Sequence, residues 1–367
     1  MNCAQALAVA LAAVVVAGEP LRAPLAQAET AIQASAAETQ AMSRRAIRTA
    51  VEDLAAMMER RYVLPEQGAA YARTLRADLR AGAYDGKTQA ELAAALQARL
   101  TSVHPDGHLR VNVINEEAPP ERQAPSGDGA FGEGAWFRDG VAYLPIRVFP
   151  GDEESQAGMA ALLDSYAGAQ ALILDLRTCY GGAMPVMDVL FSRLYATRTQ
   201  LITMDFREGA APEMEEWLAA MPSTTKDTSP AGLSRWQHWA VPAPGGATLA
   251  NARVFVLTGR TISACEHAAL ALQRTGRATL IGERTFGAGN YGGMERFGGD
   301  FEVWVSVGRS FNPDTGEGWE GTGLEPDMTT ARAQALDVAM QQIEGSRRAD
   351  LAPVPDGWIH TGARPPV

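Results

Sequence analysis

Between Met42 and Val103 the apolar positions recur at intervals of three and four. Ile47, Val51, Leu54, Met58 and Tyr62 form one stripe, and Tyr71, Leu75 and Leu79 a second. Such a stripe lets a helix bury one face while the other stays in water. The run Gly82 to Gly86 interrupts the pattern. A third stripe, Leu92, Leu96, Leu100 and Val103, follows an explicit start signal. Thr88 and Glu91 stand at capping-box spacing, where each side chain satisfies an orphan N–H near the other. Three amphipathic helices are predicted, forming a small N-terminal bundle within residues 42–110.

The period changes after His104-Pro105-Asp106-Gly107-His108, a turn-forming cluster. Leu109 to Val113 alternates like a half-buried strand. Residues 115–134, rich in Pro, Gly and Glu, predict a linker or long loop. Beyond them the pattern is α/β. Val141 to Ile146 predicts a strand, Met159 to Tyr166 a helix, and Ala171 to Leu176 a strand covered on both faces. Gly181-Gly182 then leads into a helix ending near Tyr195. A second round gives strand Arg253 to Leu257, helix Ala264 to Thr275 and strand Ala278 to Gly282. Strands alternating with helices of this length imply crossovers and a parallel or mixed sheet. Residues 207–250 are less regular and predict a surface excursion. The α/β core is bounded at 129–345, with a tail over 346–367.

The chain begins differently. Leu7 to Ala17 is apolar but shorter than the roughly 20 residues a spanning helix needs. Ala26-Gln27-Ala28 is a small-x-small cleavage pattern before Glu29. Residues 1–28 are therefore expected to be a signal peptide cleaved after Ala28, with export to the periplasm or beyond. Met1-Asn2 lacks the usual positive start, so the alternative is an Ala-rich terminus on a cytosolic protein. No other segment is long and apolar enough to be a membrane helix. The formal charge of −11 over 367 residues argues against a nucleic-acid partner.

Two places carry candidate chemistry. Thr261-Ile262-Ser263-Ala264-Cys265-Glu266 lies where a strand hands over to a helix. A hydroxyl there sits at a helix N-terminus, whose free N–H groups favour developing negative charge. The N–H of Ala264 is placed to help hold an oxyanion. A plain N-cap serine would leave the same local signature. The second place is Asp175-Leu176-Arg177-Thr178-Cys179-Tyr180-Gly181-Gly182. Paired glycines after a buried strand permit unusual dihedrals and offer their N–H groups, though a tight turn alone would also want them.

Taken in order with Gly282-Glu283-Arg284-Thr285, Gly287, and Trp319-Glu320-Gly321-Thr322-Gly323-Leu324-Glu325-Pro326-Asp327, these motifs form a set. The set resembles the C-terminal processing (tail-specific) serine peptidase family. The helical N-terminal part ending in His108-Leu109-Arg110-Val111 resembles the branch related to interphotoreceptor retinoid-binding protein. The resemblance spans roughly residues 45 to 330. It implies a crotonase-like spiral of strand-strand-helix units, with Ser263 as nucleophile. The N–H of Ala264 and of Gly181 or Gly182 would form the oxyanion hole.

Many members of that family pair the serine with a lysine in the Gly-rich stretch after the Gly-Glu motif. Ala288 stands at that position here, and Lys87 and Lys226, the two lysines of the chain, lie outside the motifs. Members similar to the tricorn protease use a histidine, an auxiliary serine and a glutamate. His108 and Glu320 match the first and last, whereas Gly107 stands where the serine would be. The resemblance thus implies His108 as general base, with Glu320 reaching it directly or through water. Pro105 and Gly107 separate His104 from His108 and argue against a helical metal pair. His267 reads as a packing or surface residue, and His238 and His360 fall outside the motifs. Cys3 belongs to the removed segment. Cys179 and Cys265 either form a disulfide clamping the oxyanion loops or fill space as two small buried residues; a disulfide requires their Cα atoms within roughly 7 Å.

The stretch 115–134 is too short for the peptide-binding PDZ module that tail-selecting members often carry. The expected activity is general hydrolysis of peptides or unfolded proteins, without metal or cofactor. Two other readings remain: a non-catalytic binder of a retinoid- or lipid-like ligand, and an esterase using the same site. With aromatics at 7%, the sequence gives no apolar-pocket signature for the binder.

Overall fold

A computed structural model describes residues 40–115, 129–132, 134–137 and 140–350, with side chains to residue 345. The expected signal peptide, His360, most of the Pro/Gly-rich stretch and the last part of the tail lie outside the described residues.

The described residues begin with three helices: α1 (Arg44–Arg61), α2 (Pro65–Arg80) and α3 (Gln89–Val103). Their buried positions include Ile47, Val51, Leu54, Met58, Tyr71, Leu75, Leu92, Leu96 and Leu100, as the periodicity predicts. The capping box closes both ways. Thr88 N–H donates to the Glu91 carboxylate at 2.9 Å, and Glu91 N–H donates to Thr88 Oγ1 at 3.3 Å. The helices do not form a core of their own. They share one with Phe297, Phe301, Val303 and Val305. Strand β1 (Val111–Val113) also pairs antiparallel with β11 (Phe301–Phe311), placing Val111 opposite Val303.

Among the described residues the mixed α/β core contains two six-stranded sheets. The first joins β2 (Ala135–Phe137), β3 (Val141–Pro145), β4 (Ala171–Asp175), β8 (Arg253–Thr258), β9 (Ala278–Gly282) and β12 (Met328–Thr329) in the order β12-β9-β8-β4-β3-β2. Only the β2–β3 pair is antiparallel. Crossovers run through α4 (Glu153–Ser165), α5 (Met184–Leu194) and α7 (Ala264–Arg274). Helix α8 (Ala335–Asp350) packs Leu336, Ala339 and Ile343 over Ile173, Phe255 and Ile281 on one face. Every residue of β4 is buried, which its unbroken apolar run requires. Helix α4 starts earlier than Met159 because Asp152 caps it, accepting from Ser155 N–H at 2.8 Å.

The second sheet corrects the expectation for residues 207–250. Besides β1 and β11 it contains β5 (Thr199–Arg207), β6 (Thr224–Asp227), β7 (Leu233–Ala240) and β10 (Asn290–Phe297), with helix α6 (Pro212–Ala220) between β5 and β6. All its pairings are antiparallel. Its strands carry polar groups inward, which disguises them as surface. Asp205 on β5 is fully buried, held by Arg235 at 2.7 Å and Arg309 at 3.0 Å. Ser234, Gln237 and His238 on β7 are buried too.

Candidate active site

Ser263 is built into a strained elbow between β8 and α7. Its φ of 57° and ψ of −121° make it the one non-glycine with positive φ among the described residues. Such a conformation costs on the order of 1–3 kcal/mol and persists where surrounding bonds enforce it. Those bonds are present. Ser263 N–H donates to Glu266 Oε2 at 2.9 Å, and the same carboxylate accepts from Thr285 Oγ1 at 2.5 Å, Gly287 N–H at 2.7 Å and Ala288 N–H at 2.8 Å. Burial raises the Glu266 pKa against these donors. Thr261 Oγ1 donates to the Leu176 carbonyl at 2.8 Å, and Ile262 N–H to the Cys179 carbonyl at 2.9 Å, which ties the elbow to the glycine loop.

That loop is anchored at its root. Arg177 makes a two-pronged contact with Asp175, at 2.8 and 2.5 Å, and Tyr143 Oη adds a 2.5 Å bond to the same carboxylate. Asp175-Leu176-Arg177 is therefore a structural latch at the end of β4. Gly181 and Gly182 follow with φ of 125° and 128°. A Cβ at Gly182 would collide with the Phe149 carbonyl, so only glycine fits there. Cys179 and Cys265 are disulfide-bonded, with Cα atoms 6.0 Å apart. Gly181 N–H points at Cys265 Sγ, 3.0 Å away. Gly182 and Ala264 line the cavity that contains Ser263, whereas Gly181 does not.

His108 reaches the same cavity from the turn after α3. Its backbone N–H donates to Asp106 Oδ1 at 2.9 Å, and its ring stacks on Trp304 with centroids 5.5 Å apart. The buried Nδ1 has no hydrogen-bond partner among the described residues. Burial lowers the imidazole pKa; Asp106 opposes this and Arg110 adds to it. Glu320 lies near but makes no hydrogen bond to the ring. Its Oε1 accepts Gly107 N–H at 2.5 Å, and its Oε2 accepts Gly289 and Asn290 N–H, both at 2.7 Å. Burial and then the Asp106 charge push Glu320 up to about 7, against the pull of those three donors.

Asp106, which the sequence shows only as part of a turn, proves central to this corner. Its Oδ2 accepts Tyr62 Oη at 2.9 Å and Asn290 Nδ2 at 3.0 Å. Single ligand atoms of Asp106, His108 and Glu320 fall within 4.8 Å of one another, a spacing a cation would tolerate. Both carboxylates are already engaged by N–H and O–H donors, so the donor chemistry suits hydrogen bonding better than coordination.

The cavity measures about 390 Å³ and is largely apolar, although the sequence carries no signature of it. Ala288 lines it where a lysine would stand, and Lys87 and Lys226 do not reach it. Lys226 pairs with Glu215 at 3.1 Å instead. His104 caps α3, and its carbonyl accepts Tyr71 Oη at 2.7 Å. His238 and His267 do more than their surroundings in sequence suggest. A buried chain runs from Asp188 Oδ1 to His238 Nε2 (2.7 Å), then His238 Nδ1 to His267 Nε2 (2.9 Å), then His267 Nδ1 to Ser310 Oγ (3.3 Å). Burial first, and His238 second, hold the His267 pKa well below its usual value. No local sequence signal links these four elements.

A serine on a strained elbow and an imidazole that line one cavity with Gly182 and Ala264 make an arrangement suited to acyl transfer. Residues 140–330 match peptidase family S41, and residues 28–132 match the N-terminal domain of that family in eukaryotic IRBP. The chain belongs to peptidase family S41. Among solved structures, a "putative peptidase" from Parabacteroides merdae aligns at a TM-score of 0.61 and 17% identity, over 83% of this chain and 99% of that one. The photosystem II D1 C-terminal processing protease aligns at 0.50 and 16%, over 85% and 99%. At these identities the likeness is one of fold.

Proposed function

We propose that the chain is a serine peptidase that cleaves peptide bonds through an acyl-enzyme on Ser263, with His108 as general base. The observation that carries this reading is the elbow: Ser263 holds positive φ at the start of α7, in one cavity with His108, Gly182 and Ala264. Burial keeps His108 neutral and able to take the serine proton. The N–H groups of Ala264 and Gly182 hold the oxyanion, and Gly181 N–H braces the loop against Cys265. Glu320 and Asp106 supply the negative field that stabilises the imidazolium, Glu320 without a direct hydrogen bond to the ring. A disulfide beside the nucleophile supports export to an oxidising compartment, periplasmic or secreted.

Labelling with a fluorophosphonate, read by intact mass, tests the assignment. One adduct on wild type and none on Ser263→Ala is expected; well-folded wild type without an adduct would sink it. The apolar cavity favours one second reading, a binder of a retinoid- or lipid-like ligand. That reading requires binding without labelling or turnover. An esterase would label as a peptidase does, and a paired ester and amide substrate separates the two.

A further inference from the structure

Resting on the peptidase reading above, we infer that the Ser263 cavity selects peptides in which a large apolar side chain, such as Phe, Leu or Met, precedes the bond to be cut. The walls come from three elements that the nucleophile does not need: Met184 and Met187 on α5, Met204 and Phe206 on β5, and Met214 and Trp217 on α6. Helix α5 begins two residues after Gly182, so its first turn lies beside the place where the substrate carbonyl oxygen docks. The side chain one bond from that carbonyl carbon therefore enters the apolar end, and the leaving amine departs away from it.

Charge excludes the other occupants. Among the described residues no Asp, Glu, Lys or Arg lines the cavity. A charged side chain entering it would lose hydration and find no counter-ion. The histidine at its inner wall, His267, has both ring nitrogens engaged within the protein. The flexible methionine thioethers suit several large side chains rather than one shape.

The rim points the same way. Five large hydrophobic side chains are exposed among the described residues, and three of them border this cavity: Tyr180 at 44%, Met214 at 39% and Trp217 at 38%. Exposed apolar surface concentrated at a cavity mouth marks a binding site. The cavity volume lies within the range usual for ligand pockets.

The test is a series of quenched-fluorescence peptides differing only in the residue that donates the acyl group: Phe, Leu, Met, Ala, Asp and Lys. The expected kcat/KM for Phe, Leu or Met exceeds that for Ala by at least roughly tenfold, with Asp and Lys lower still. Trp217→Ala, a change at an exposed rim position, lowers the Phe-to-Ala ratio at least about fivefold. A preference for Ala or for a charged residue, or a ratio unmoved by Trp217→Ala, overturns the inference. Fluorophosphonate labelling of the same preparation keeps the two readings apart. Labelled enzyme with the wrong preference defeats the pocket assignment alone. Unlabelled, inactive enzyme defeats the hydrolase reading, and this inference with it.

Discussion

The backbone N–H of Ser263 rests on the carboxylate of Glu266, three residues into the following helix, at 2.9 Å. Because the same carboxylate accepts from Thr285, Gly287 and Ala288, one buried side chain holds both the elbow and the loop facing it.

Glu266→Gln should therefore lower kcat without much change in KM. An amide presents N–H where these donors need an acceptor, leaving at least one buried donor unpaired, at about 1–3 kcal/mol. Kinetics beside a thermal melt check this. A variant with wild-type kcat would show that the elbow holds without the carboxylate.

Ser263→Ala and Ser263→Gly should part company in stability. Both remove the proposed nucleophile, but alanine keeps a Cβ at φ 57° and glycine does not. Relief of strain, offset by glycine's larger unfolded entropy, should leave the glycine variant more stable than the alanine one by about 1 kcal/mol. Denaturant unfolding of the two proteins gives the difference directly.

Activity should fall on the acid side, because both His108 and Glu320 must have lost a proton. As the proposed base, His108 must be neutral to accept a proton, and burial holds its pKa below the usual value. Glu320 must be charged to support the imidazolium, and its pKa is raised to about 7. The wild-type limb of kcat/KM should thus bend near neutral pH. In Glu320→Gln it should move to lower pH with a reduced plateau. The stability sign is opposite. A raised carboxyl pKa contributes stability that is present below 4.5 and lost as pH rises through about 7. Melts of Glu320→Gln and wild type should therefore diverge across that window.

Reducing the Cys179–Cys265 bond should cost both stability and rate. The bond closes a separation of 86 residues, and its loss should lower stability by about 2–4 kcal/mol. It also frees the sulfur against which Gly181 N–H rests, so kcat should drop more than substrate affinity. Cys179→Ser assayed beside reduced wild type checks both effects. Unchanged melting and turnover would mean that the latch from Arg177 to Asp175 suffices.

What is legible in the sequence is what has a local cause. The three helices announce themselves through stripes and a capping box, and β4 through an unbroken apolar run. Ser263, Ala264 and the glycine pair stand out because a strand-to-helix handover is a short-range event. Strands β5 and β7 are not legible, since Asp205, Gln237 and His238 face inward on partners from other strands and helices. The role of Asp106 is hidden for the same reason. Its partners Tyr62 and Asn290 are 44 and 184 positions away. The apolar cavity gathers methionines from α5, β5 and α6, none of which forms a motif alone.

The pairing of β1 with β11 has a consequence for how competence is assembled. The segment ending at β1 brings His108, and the segment beginning near residue 129 brings Ser263. The joint between them includes three strand residues, a shared apolar core and the bonds of Asp106 and Gly107 to Asn290 and Glu320. Supplied as separate polypeptides, 1–115 and 129–367, the two parts should complement one another in trans. Turnover would then saturate with the concentration of the shorter fragment, as occupancy of a binding equilibrium does.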